Sequence, residues 1–182
     1  MRLLRMIVLV IAIWTGSAGS LLAAMGSAVR SLVGVREVQV VVEDFNAATQ
    51  KTGLRKEQIQ NAAESYLAQH GVNVVRGSNR APLIYVRLSS VIGGESERAP
   101  ISFYLNVQVK QLARLARTHS AQPVTLNADE APLLVTTWED GAMVMLARAE
   151  LHFYVQQVLV NLLASFVQDY QQANEANGKP GE

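Results

Sequence analysis

Residues 35–76, VREVQVVVEDFNAATQKTGLRKEQIQNAAESYLAQHGVNVVR, change period twice, and those changes decide the fold. In 35–44, Val38, Val40 and Val42 alternate with Glu37, Gln39 and Glu43. β-Branched residues at period two predict a strand with one buried face. Residues 45–53, rich in Asn, Ala, Thr and Gly, read as a connection. From 55 to 70 the period turns helical: Ile59, Ala62, Ala63, Tyr66 and Leu67 form one apolar stripe, while Lys56, Glu57, Gln60 and Glu64 face away. Gly71 stands where a left-handed cap ends a helix. Residues 72–76 (VNVVR) then predict a short returning strand. A strand, a helix and a returning strand make a parallel pair.

Further strands follow at 83–91 (LIYVRLSSV) and from 101 to 117. In the latter, Ile101, Phe103, Leu105, Val107 and Val109 alternate with Ser102, Tyr104, Asn106, Gln108 and Lys110. The phase shifts from Leu112 onward, which calls for a bulge or a helical turn. Residues 118–132 read as the longest loop and 133–139 (LLVTTWE) as another strand. Asp140-Gly141 reads as a turn, and 142–146 as either a last short strand or the lead into a helix. Residues 149–173 carry Leu151, Val155, Leu159, Leu162, Phe166 and Tyr170 on a broad apolar helical face. The expected fold is α+β: a two-layer sandwich with a mixed, mostly antiparallel sheet of four to six strands and two helices on one face. Residues 29–173 form this single domain, and the polar residues 174–182 read as a disordered tail.

The first 28 residues differ from the rest. Arg2 and Arg5 precede an unbroken apolar run at 6–14 (MIVLVIAIW), and small residues follow at 15–20 (TGSAGS). This is the layout of a secretory signal peptide, with Gly16/Ala18 and Gly26/Ala28 as small-residue pairs for the peptidase. A spanning helix needs about 20 apolar residues; with Ser, Gly and Ala included, residues 3–24 supply the alternative of an uncleaved N-terminal anchor. Both readings keep the arginines inside and export the remainder. The expected location is periplasmic or otherwise extracytoplasmic, with or without an anchor in the inner membrane.

Hydrophobic residues make up 49% and charged residues 17% of the 182-residue chain, which excludes an intrinsically disordered protein. The net charge of +1 excludes a global field of the kind that attracts nucleic acid. Cysteine is absent, so disulfides, thiolate metal sites, cysteine nucleophiles and lipoprotein acylation are all excluded.

Gly53-Leu54-x-x-x-x-Ile59, Leu67-x-x-x-Gly71-Val72-x-Val74, Thr136-Thr137-Trp138 and Phe166-Val167-x-Asp169-Tyr170-x-x-Ala173-Asn174 resemble a family of exported bacterial proteins with no established activity. In topology alone the order of elements is also similar to small envelope lipoproteins of lipopolysaccharide transport and curli secretion, and to the N-terminal domain of the Tol-Pal β-propeller protein. The missing lipidation cysteine separates this chain from the lipoproteins.

Catalytic signals are sparse. His70, His119 and His152 have no i, i+4 partner, whereas zinc needs three or four convergent ligands. His70 reads as a helix C-terminal cap and His119 as loop surface. Glu95, Glu97, Asp129, Glu130, Glu139 and Asp140 cluster in loops, where paired carboxylates serve acid/base chemistry or bind hard cations. Ser120 beside His119 lacks a nucleophile's setting, and Gly93-Gly94 lacks the lysine of a phosphate loop. Arg76, Arg80, Arg87, Lys110, Arg114 and Arg117, with Tyr85 and Tyr104, would form a basic stripe if their strands aligned. Trp138 reads as a core residue and Met143/Met145 as packing filler. No catalytic, cofactor or metal residue is assigned. The reading is an exported, non-enzymatic domain that binds an envelope protein, with Tyr104, Asn106, Gln108 and Lys110 as the partner face. The alternative is an envelope hydrolase or ligand-binding domain that gathers Glu95, Glu97, Asp129 and Asp140 with His119 in a pocket. Nucleic acid is not expected as a partner.

Overall fold

The computed structural model describes residues 26–94, 96, 98–113 and 132–175. In chain order the elements are α1 (Ser27–Arg30), β1 (Gln39–Val42), α2 (Ala47–Gln50), α3 (Lys56–Gln69), β2 (Leu83–Ile92), β3 (Pro100–Ala113), β4 (Leu133–Ala147), a 3-10 turn (Arg148–Glu150) and α4 (Leu151–Glu175). The four strands form one sheet in the order β1-β2-β3-β4. β1 runs parallel to β2, and the other neighbours are antiparallel. The α+β class and the mixed sheet are therefore as the periodicity predicts.

Alternation works as expected along β1, β2 and β3. Val40, Val42, Ile84, Val86, Leu88, Phe103, Leu105 and Val107 are buried on one face of the sheet. Ile59, Ala63 and Leu67 of α3 and Leu159, Leu163 and Phe166 of α4 join the same core. α3 packs against β1, α4 packs against β3 and β4, and the two helices touch each other. Gly71 takes φ +81°, the left-handed cap its position predicts.

The parallel partner of β1 is not residues 72–76. That segment contributes one bridge, Val38 to Val74, and β2 supplies the ladder. The connection at 45–53 contains a short helix, because Asn46 caps α2 by accepting from the Thr49 N–H at 2.8 Å. Asn46 Oδ1 also accepts the Thr49 hydroxyl proton at 2.8 Å. Ser90 Oγ must therefore be the donor in its 2.9 Å contact with Thr49 Oγ1, and both buried hydroxyls are satisfied.

Asp140-Gly141 is not a turn. β4 passes through it unbroken, with Asp140 opposite Val107 and Gly141 opposite Asn106. β3 keeps its phase through Leu112, which lies exposed on the same side as Gln108 and Lys110; the bulge is on β4, where Val109 pairs with Trp138 and Lys110 with Thr136, which leaves Thr137 as the extra residue. The last helix extends to Glu175, and Asn174 is a clamp rather than the start of a tail. Its Oδ1 accepts from Gly34 N at 3.0 Å, and its Nδ2 donates to Leu32 O at 3.2 Å and Tyr170 O at 2.8 Å. Leu32, fully buried, is held in the core by this contact.

Candidate partner-binding face

Both long helices cover one face of the sheet, so the other face is free of them. Across it the register sets rows on β2, β3 and β4: Ser89, Tyr104 and Met143; Arg87, Asn106 and Gly141; Tyr85, Gln108 and Glu139; Leu83, Lys110 and Thr136. All four residues of the expected partner face thus lie on one strand and one side.

They are not equally available. Asn106 is only 2% exposed. Its Nδ2 donates to Glu139 Oε1 at 3.2 Å and to Asp140 O at 3.0 Å. The cause is Gly141 across the ladder. A Cβ there would lie 2.8 Å from Tyr104 Oη and 3.1 Å from Asn106 Nδ2, so the Tyr104 ring rests on bare backbone and closes over the amide. Asn106 is therefore corrected from an outward contact residue to a buried, hydrogen-bonded one. Tyr104, 37% exposed, keeps its rim in solvent.

Lys110 Nζ sits 3.6 Å above the Tyr85 ring centre. Arg87 Nε pairs at 3.2 Å with Oε2 of Glu43, the residue that follows β1. Desolvation pushes the Tyr85 hydroxyl above its ordinary pKa, and the Glu43 carboxylate adds to the effect. The centre of the face is thus polar, with cations and anions interleaved. Its two ends are apolar: Val91, Met143 and Met145 at one, Leu112 and Leu134 at the other, all more than half exposed. A shallow cavity of about 280 Å³ lies at the second end, lined by Leu83, Lys110, Leu112 and Leu134, with Gln39 at its wall.

The remaining candidates do not converge. Arg76 pairs with Glu64 of α3, away from Arg87 and Lys110, so no basic stripe forms among the described residues. His70 Nδ1 donates to Tyr66 O at 2.8 Å and stacks on that ring, which is the capping role its position predicts. His152 Nε2 donates to Thr52 O at 3.1 Å. Strand alternation puts Glu139 on the open face and Asp140 on the opposite one, where its Oδ1 accepts from Gly141 N at 2.8 Å. Glu95, Glu97, Arg114, Arg117, His119, Ser120, Asp129 and Glu130 lie outside the described residues. Among the described residues, no three His, Asp or Glu side chains gather where they would hold a metal ion. No helix among them is long and apolar enough to cross a membrane; residues 1–25 lie outside this set.

No family model matches the chain, and no curated protein matches it. Among solved structures it is similar to a minor lipoprotein from Acinetobacter baumannii, at 10% identity and a TM-score of 0.33, covering 76% of this chain and 93% of that one. It is also similar to the rare lipoprotein B from Shewanella oneidensis, at 11% identity and a TM-score of 0.36, covering 78% and 97%. Likeness of this degree assigns no role to the chain.

Proposed function

We propose that this chain is an exported, non-enzymatic domain of the bacterial cell envelope that binds a partner protein on the open face of its sheet. The observation that carries the reading is the one-sided fold: both long helices cover one face and leave a broad second face of polar residues flanked by apolar ends. A face of that kind stays soluble alone and accepts another chain reversibly. Gln108 and Lys110 are its accessible central residues, and Tyr104 contributes its rim. Export rests on Arg2 and Arg5 ahead of the apolar run at 6–14.

The test is site-resolved cross-linking in cells. A photoreactive side chain at Gln108 should capture one envelope protein, a second one at Gln58 on α3 should not, and Lys110→Glu should abolish the capture. Equal capture from both sites would overturn the reading. So would a hydrolytic activity of the purified chain that disappears on substitution of Glu95, Glu97 or Asp129. Intact mass of the extracytoplasmic fraction should show loss of the first 18 to 28 residues; a full-length mass confined to membranes would establish the anchored form.

A further inference from the structure

β4 is an edge strand whose two halves are treated differently. At the Trp138 end, the bulge at Thr137 breaks the ladder, and α1 lies against it. There Gln111 Nε2 donates to Thr137 Oγ1 at 3.0 Å, and the Ser31 hydroxyl, shared with Ala28 O, reaches Thr137 O at 3.1 Å. Bulges and covering segments are the devices that stop a sheet edge from pairing. Among the described residues, the other half has none of them. Residues 141–147 (GAMVMLA) carry no charge and no proline. Arg148 N donates to Ala99 O, and antiparallel bonding alternates. Residues 140, 142, 144 and 146 therefore bond to β3, while 139, 141, 143 and 145 turn their N–H and C=O groups away from the sheet. Met143 and Met145 are 77% and 74% exposed.

We infer that this half of β4 pairs antiparallel with β4 of a second copy, about a two-fold axis at Val144, and makes one sheet of the two. The register singles out the occupant. Centred at Val144, each Met143 meets the second copy's Met145 and Gly141 meets Ala147; Asp140 falls level with the second copy's Arg148, just beyond β4, whose Nη2 also donates to Lys51 O at 2.8 Å, so no like charges face each other. The pairs formed by 143 and 145 are ones whose amides and carbonyls point across the gap. A centre at Asp140 would instead oppose two aspartates, and one at Met143 would set Asp140 against Leu146. The segment is thus complementary to itself in one register. This inference shares only the apolar end at Met143 and Met145 with the partner reading above, which is centred on Gln108 and Lys110 and is tested there.

The chain contains no cysteine, so single thiols report the register directly. In a non-hydrogen-bonded antiparallel pair the Cα atoms lie about 4.5 Å apart, within disulfide reach. Val144→Cys should oxidise to a covalent dimer, whereas Val41→Cys on the opposite edge should not. The full chain in mild detergent should sediment at twice its protomer mass. Met143→Lys with Met145→Lys places four like charges across the pair and should raise the dimer dissociation constant about tenfold or more, with an unchanged circular dichroism spectrum. A monomer at every concentration overturns the proposal. So do a dimer that survives both lysines without cross-linking through position 144, and an open-ended aggregate in place of a defined dimer.

Discussion

Trp138 Nε1 donates to Asp169 Oδ2 at 2.8 Å, joining the edge strand to the last helix across an otherwise apolar contact. The indole is buried and meets Phe166 edge-on, with ring centres 5.5 Å apart. An indole N–H inside a core needs an acceptor, and Asp169 is the one within reach.

Removing that acceptor should therefore cost more than removing a surface carboxylate. Asp169→Ala should lower stability by about 1–3 kcal/mol, the penalty of an unsatisfied buried donor. Asp169→Asn keeps an oxygen acceptor and should cost less. Urea unfolding followed by circular dichroism checks the order of the two variants; equal losses would show that the hydrogen bond contributes nothing.

Leu162 is buried on the core face of α4. Leu162→Ala should destabilise by about 2–5 kcal/mol, as truncation in a closed core does. A loss under about 0.5 kcal/mol would place the residue at the surface.

Gly141 is kept without a side chain by Tyr104, not by its backbone, since its φ is not positive. Alanine should relieve strand entropy but strike the Tyr104 ring. In a double-mutant cycle, Gly141→Ala should destabilise the native chain and do so less, or reverse sign, beside Tyr104→Ala. The expected coupling is at least about 0.5 kcal/mol. Additive effects would mean the ring simply swings aside.

The Arg76 guanidinium, hydrogen-bonded to Glu64, holds that carboxyl below its ordinary value of 4.5. A lowered folded pKa stabilises the chain above the unfolded value, and the contribution is lost as pH falls through the folded one. Stability should therefore drop on acidification below about 4.5, and Arg76→Gln should flatten that part of the curve. A curve unchanged by Arg76→Gln would exclude the pair as a source of acid sensitivity.

The strands and long helices were legible because their burial is periodic, as Val38, Val40 and Val42 show. What escaped depended on contacts across the ladder. Asn106 sits at an outward position by alternation, and only Gly141, directly opposite it on β4, with Tyr104 leaning over it, explains its burial. Asp140-Gly141 has turn chemistry, yet the long β3 opposite keeps it extended. α2 did leave a signal, an Asn cap three residues ahead of Thr49, but four residues are too few for a helical period to emerge. The Asn174 clamp acts over 140 residues of sequence, where local pattern carries no information.

That clamp has a mechanical consequence. Asn174 ties the backbone at Leu32 and Gly34 to the end of α4, so the chain on either side of the folded unit departs from neighbouring points. Tension applied between the two flanking segments loads those hydrogen bonds together with the contacts of α1 and Ser31 to Thr137 and Gln111, before it reaches the ladders between the strands. The domain should yield to such a pull by peeling residues 26–35 from the helix, leaving the sheet intact.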